Sequence, residues 1–235
     1  MSAITISREY GSGGGEIASR IADRLGWTLV DHQIVADVAR RIGMTQEEAS
    51  ARDERGAGLV ARVLDALLIA APEGTIPAED LPVSSSDLYH QAVCRVIEKS
   101  YNARYVVIVG RGAQALLQRC EDVLHIRVIA PLEMRISYVS QREGLSESAA
   151  RDRIHSKQQG RDRYLQSHYH RRPNDPTLYD LTVNTRGISL NDAVDIVLDA
   201  LQRKARQVGM PPSQRGPGVD VERYHDQPGD LNPSP

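Results

Sequence analysis

The stretch Ile4-Thr-Ile-Ser-Arg-Glu-Tyr-Gly-Ser-Gly-Gly-Gly-Glu-Ile-Ala18 decides how this chain folds. It reads as a strand (Ala3–Ser7), a glycine-rich loop and the start of a helix running to Gly26. Four glycines in five positions, at 11 and 13–15, let the backbone take positive φ and turn its N–H groups inward. A helix starting at Gly14 or Gly15 then aims its positive end at whatever the loop holds. Oriented amides plus a helix N-terminus make an anion site, most often for phosphate. Gly11, Ser12, Gly13, Gly14 and Gly15 are therefore the candidate phosphate-binding residues of a nucleotide-binding α/β protein.

Two phosphate motifs compete for this loop. Gly13, Gly15 and Ala18 satisfy the dinucleotide pattern G-x-G-x-x-G/A, with Asp31 near the expected ribose-binding acid. In that motif, however, the first Gly follows the strand almost directly. Here four residues, Ser7 to Tyr10, intervene before Gly11, which is the length of a P-loop. In G-x-x-x-x-G-K-[ST], Arg8 stands at the first Gly, Gly13 at the second, Gly14 at the Lys and Gly15 at the hydroxyl. The shape is kept. The lysine for the β- and γ-phosphates and the hydroxyl for Mg²⁺ are absent.

Outward from the loop, five strand candidates alternate with helices: 3–7, 28–30, 105–109, 123–130 and 181–184. The third, Tyr-Val-Val-Ile-Val, is continuously apolar, as a strand buried on both faces of a parallel sheet is. Helical stripes recur at Ile17, Ile21 and Leu25, at Ile34, Val35, Val38 and Ile42, at Leu59 to Leu68, and at Leu190 to Leu201. This alternation predicts βαβ units and a doubly wound parallel five-stranded sheet. Residues 72–86 read as a proline-punctuated loop, and 209–235 as a disordered Pro/Gly-rich tail.

Composition narrows the class. Phe is absent and there is one Trp, so the core must be aliphatic. A formal charge of −2 gives no global reason to expect nucleic acid or an anionic membrane. Cys94 and Cys120 are too few for a disulfide framework or a zinc site. With no signal-peptide pattern and no apolar run near the ~20 residues of a membrane span, the expectation is a cytoplasmic protein. The Leu59–Leu68 face reads as core, or else as the contact of a homodimer.

At this point the chain resembles the cytidylate kinase-like branch of the P-loop nucleoside-monophosphate kinases, over roughly residues 3–205. Ile6-Ser-Arg-Glu-Tyr-Gly-Ser-Gly-Gly looks like the hallmark of that branch, whose members also replace the Walker lysine. Gly26-Trp-Thr-Leu-Val-Asp31 looks like its second strand, with the Asp placing the monophosphate nucleoside. Val109-Gly110-Arg111 looks like its strand-end Gly-Arg, with the arginine facing the acceptor phosphate. Ala130-Pro-Leu-Glu-Met-Arg135, Arg161-Asp162-Arg163 and Tyr179-Asp-Leu-Thr-Val-Asn-Thr185 resemble the block leading to the lid, the lid and base-recognition run, and the last strand. There are departures. Gly15 stands where many members carry Arg, Gly112 replaces an Asp, and Gln158 and Leu165 replace arginines flanking the lid Asp.

The resemblance implies a kinase-like domain over 1–208, with an acceptor-binding insert at about 32–103 and a helical lid at about 144–172. It also implies ATP as donor, Mg²⁺ arriving with the nucleotide, and CMP or a similar monophosphate as acceptor. Charge agrees with a cationic lid: from Arg135 to Arg172 there are nine Lys or Arg against four Asp or Glu. Arg8, Lys157, Arg161 and Arg163 are the candidate catalytic cations, and Asp31, Arg111 and Asp162 the candidate acceptor-binding residues. Arg8 would supply the charge of the missing lysine, or else pair with Glu9 or Glu16. Asp31 would bind acceptor, or else cap the next helix. His155, His168 and His170 lack the spacing of a metal site. Three functions remain: transfer of the ATP γ-phosphoryl group, nucleotide sensing through a degenerate loop, and NAD(P)-dependent reduction.

Overall fold

The structure is a computed structural model, and it describes residues 1–31, 85–211 and 214–215, with side chains from His90 onward in the second segment. The stripes at 34–42 and 59–68, the insert through residue 84 and most of the tail lie outside the described residues.

Five parallel strands form one sheet: β1 (Ala3–Arg8), β2 (Thr28–Val30), β3 (Val106–Val109), β4 (Val123–Ile129) and β5 (Leu181–Asn184). Their order is β2-β3-β1-β4-β5. β1 lies at the centre, with Ile4 opposite Val107 on one side and Leu124 on the other. Every connection is therefore a crossover, which is why helices cover both faces and why β3 is apolar throughout. The dinucleotide reading fails here. In that fold β2 sits directly beside β1, whereas here β3 is inserted between them.

One face is covered by α1 (Gly14–Leu25) and α6 (Leu190–Gln207). Ile17 and Ile21 from α1 and Val194 and Val197 from α6 join Ile4, Ile6, Leu124, Ile126 and Val128 in a single apolar cluster. Both helices are well terminated. Gly26 takes φ 64 and returns its N–H to Ala22 and Asp23, and Ser189 with Asp192 closes a capping box on α6. The other face carries α2 (Ser85–Ala103) and the short α3 (Ala113–Leu116), whose Val93, Val96, Ile97 and Ala113 pack on Ala3, Val106, Ile108 and Val123. The buried hydrophobic residues are Ala, Ile, Leu and Val alone among those described. Ser85 and Ser86, read from sequence as loop, begin α2.

Two further helices, α4 (Leu132–Glu143) and α5 (Glu147–Tyr169), form a hairpin packed through Ile136, Val139, Ala150 and Ile154. Only Ala150, Ile154 and Leu165 of the 23 residues of α5 are buried, so this helix leans on the body along a narrow line. A 3-10 turn at Pro176–Leu178 leads into β5. Among the described residues no helix is long and apolar enough to cross a membrane. Past α6 the chain turns at Gly209, and Arg215 pairs with Glu121 at 2.7 Å.

Candidate active site

The C-terminal ends of β1 and β3, the glycine loop and α5 enclose a cleft of about 970 Å³. Ligands bind at that edge in open α/β sheets because the strands end there and the helices that follow present their N-termini.

The loop is fixed from outside. Its Glu9 N–H extends the sheet by bonding Val128 O at 3.0 Å, while Glu9 Oε2 accepts the Ala130 N–H at 3.1 Å and lies 3.6 Å from Arg135 Nε. Ser12 is buried, and its hydroxyl bonds Glu9 O at 2.9 Å and Val128 O at 3.2 Å. Thr185 Oγ1 holds the Ser12 carbonyl at 3.1 Å. Ser12 thus braces the loop through both side chain and backbone, and the glycine amides that follow are left for a ligand. Gly11 at φ 85 and Gly13 at φ 80 make the turn that side-chain-bearing residues resist.

Gly14 and Gly15, where the Walker Lys and hydroxyl would stand, differ sharply. A Cβ on Gly14 would come within 2.7 Å of Arg8 Cβ and 3.3 Å of Val128 Cβ, whereas one on Gly15 would meet nothing within 4 Å. Arg8 fills the space beside Gly14. Its guanidinium extends to Gly110, where Nη1 lies 3.2 Å from the position a Cβ would take. Burial, then the charge of Arg161, pushes Arg8 down to about 9; Asp31 opposes the shift and Arg111 adds to it. It still carries its charge at neutral pH. Glu9 and Glu16, the alternative partners, are engaged by Arg135 and by Tyr138 with Arg142.

Arg161 reaches in from α5, donating from Nη1 to the Arg8 carbonyl at 2.8 Å, with its guanidinium 5.5 Å from the Tyr10 ring centroid. Burial lowers its pKa, as do Arg111 and Arg127, while Tyr10 and Asp162 oppose. Arg111 follows β3 with φ 56 between Gly110 at 79 and Gly112 at 72, a run of left-handed backbone that is costly for a side-chain-bearing residue. Gly112 is required because a Cβ there would collide with the Tyr169 ring at the end of α5. An Asp at 112 would meet the same ring.

The structure thus brings Arg8, Asp31, Arg111, Lys157 and Arg161 to one cleft with the five loop residues. It does not bring Arg163, which is exposed and bonds Gln159 Oε1 at 3.3 Å, because it stands two residues along the helix from the inward-facing Arg161. Asp162 is held by Gln158 Nε2 at 3.0 Å and does not line the cleft either.

Sequence reasoning missed Arg127, Tyr10, Arg142 and Arg153 among the cleft's lining. Arg127 carried a visible signal: His125 and Arg127 are the polar residues at alternate places in the otherwise apolar Val-Leu-His-Ile-Arg-Val-Ile strand. The other three depend on how the α4–α5 hairpin folds back, which spacing alone does not reveal.

The cytidylate kinase-like family matches residues 3–187. The cytidylate kinase of Pyrobaculum aerophilum is 31% identical over 85% of this chain and 92% of its own length. That of Halobacterium salinarum is 27% identical over 84% and 88%. A uronate isomerase of Corynebacterium glutamicum is 33% identical, but over 42% of this chain and only 19% of that protein. Among solved structures, an uncharacterized protein from Eubacterium ventriosum superposes with a TM-score of 0.63 at 18% identity, over 86% of this chain and 99% of the other. The strand order, the braced glycine loop and this match across most of the sequence agree: the chain belongs to the cytidylate kinase-like family.

Proposed function

We propose that the chain is a cytoplasmic nucleoside-monophosphate kinase that transfers the γ-phosphoryl group of ATP to CMP or a similar monophosphate. The observation that carries this reading is the convergence of Arg8, Arg111 and Arg161 on the glycine loop, with Asp31 in the same cleft. Phosphoryl transfer asks a protein for positioned phosphates and for cations where charge develops.

The amides of Gly13–Gly15, at the start of α1, hold the donor phosphates. Arg8 supplies the charge a Walker lysine would give, from the strand side and not from the helix, and its planar fork can bind two phosphate oxygens. Arg161, tied to the Arg8 carbonyl, closes the cleft from the lid, and Lys157 adds charge at its rim. Arg111 holds the acceptor phosphate beside Asp31. The residues fit a nucleotide's phosphates. They offer Mg²⁺ no loop hydroxyl, because Gly15 has none and that of Ser12 is bonded to two carbonyls. The ion would come with the nucleotide, carried by phosphate oxygens and water.

The test is ADP release from ATP against a panel of nucleoside monophosphates, with and without Mg²⁺. Turnover with CMP or a congener supports the assignment. A second reading, nucleotide sensing, is favoured by the loss of both the lysine and the hydroxyl. It predicts thermal stabilisation by ATP and no turnover with any acceptor.

A further inference from the structure

The sheet face under α2 and α3 carries a group that the transfer scheme above does not use. Along β1 and β4 the side chains alternate, so Ile6, Ile126 and Val128 face α1 while Ser7 and Arg127, paired in register, face the other way. Arg127 is 8% exposed. Its partners are neutral and distant: Nη1 is 3.4 Å from both Ser7 Oγ and Tyr179 Oη, and the guanidinium carbon is 5.5 Å from the Tyr179 ring centroid. Hydrogen bonds of that length are weak.

The carboxylates that line the cleft are engaged elsewhere. Glu9 lies by Arg135, Glu16 by Arg142, and Glu143 by Arg153. Asp31 acts on Arg8. Among the described residues no carboxylate lies within ion-pair distance of Arg127, and Arg161 is near enough to repel it. A buried cation held by neutral hydroxyls is costly unless an anion completes it. Arg127 opens on the cleft, so the completing anion would come from there.

We propose that Arg127, with the Ser7 hydroxyl, forms an oxyanion subsite on the sheet face opposite α1, and that its occupant is the phosphate of a phosphomonoester acceptor. The position separates it from the donor. Arg8 packs against Gly14 at the start of α1, whereas Ser7 and Arg127 lie on the far side of the strands. The guanidinium's shape and place point to the occupant's class. Arg127 adds a planar fork able to bind two oxygens of a phosphate, on the side the kinase reading gives to the acceptor. Tyr179 fixes the geometry, since its hydroxyl is also 2.9 Å from the Pro173 carbonyl in the segment returning from α5. The acceptor assignment rests on the kinase reading; the anion subsite itself does not.

The experiment measures the thermal midpoint of the full chain against inorganic phosphate at constant ionic strength, with sodium acetate as a carboxylate arm. It compares wild type with Arg127→Met and Arg127→Lys. The wild-type midpoint should rise with phosphate and not with acetate. Arg127→Met should need about tenfold more phosphate, or more, for the same rise, with Arg127→Lys between the two. If Arg127→Met does not fold, Arg127→Lys alone decides. A wild type indifferent to phosphate, or variants that follow its curve, overturn the subsite; an equal response to acetate overturns the phosphate assignment. In turnover, Arg127→Lys should raise the acceptor KM about tenfold and leave the ATP KM within about twofold. If wild type turns over no monophosphate, the kinase reading falls while the phosphate curves still judge the subsite.

Discussion

The two faces of the central strands are buried alike and built from different chemistry. Toward α1 and α6, β1 and β4 present Ile4, Ile6, Leu124, Ile126 and Val128. Toward α2 and α3 the same strands present Thr5, Ser7, His125 and Arg127, beyond the apolar Ala3 and Val123 at their N-terminal ends. Burial alone would favour hydrocarbon on both faces, since each polar group must find partners to offset lost hydration. Thr5 Oγ1 and His125 Nδ1 bond each other at 2.7 Å while His125 Nε2 is left buried without a partner, and neither residue reaches the cleft. Nearer the strand ends Ser7 and Arg127 open on the cleft instead. One face stabilises the fold, and the other turns polar as it approaches the chemistry.

The widest gap between the faces should appear at adjacent residues of β4. Ile126→Ala removes fully buried hydrocarbon and should cost about 2–5 kcal/mol in denaturant unfolding, with the turnover of the folded fraction retained. Arg127→Met replaces a buried cation by an apolar chain of similar reach and should stay within about 1 kcal/mol of wild type, or exceed it. Comparable losses at both sites would erase the distinction.

His125 offers a pH test of the same face. Burial pushes its imidazole down to about 4 from an ordinary 6.5, against the pull of Asp180 and with help from Lys204. The unfolded chain therefore takes up a proton that the folded chain refuses. Stability should be full above pH 6.5 and fall by roughly 3 kcal/mol as pH drops toward 4. His125→Gln should lose that part of the slope, read from urea midpoints at pH 7 and 4.5. An identical slope in the variant would show that another group sets it.

Smaller effects should separate the two helix-start glycines. Gly14→Ala forces a methyl against Arg8 Cβ at 2.7 Å and should cost about 1–3 kcal/mol. Gly15→Ala meets open space and should stabilise α1 by up to about 1 kcal/mol through helix propensity alone. Equal midpoints for the two variants would mean that Arg8 does not occupy the lysine's space.

Much of this was legible in order and spacing. The strand–loop–helix unit, the five strands and the stripes of α1 and α6 follow from local periodicity, because a buried face must repeat at the period of its element. Tyr105 was the strand error: it takes φ 54 and is 58% exposed, so β3 begins at Val106. Within the site, loop length against the dinucleotide turn identified the glycine loop, and the Gly-Arg pair at 110–111 pointed to the end of β3. Arg163 was legible as a lid cation and yet faces away, since only helix phase relative to the body separates it from Arg161. Arg127 shows in the sequence as a charge inside an apolar strand, but whether that charge has a counter-charge does not. Counter-charges are set by tertiary packing, which no single segment encodes.

In the proposed function Arg8, on the strand, replaces the lysine that a P-loop carries on its helix. The most direct measurement is ATP-dependent ADP formation by wild type and Arg8→Ala with the best monophosphate acceptor, alongside a thermal melt of each. Loss of the guanidinium should lower kcat/KM by about 10²–10³ while the variant stays folded at the assay temperature. A folded Arg8→Ala enzyme that keeps wild-type turnover and ATP affinity would contradict it.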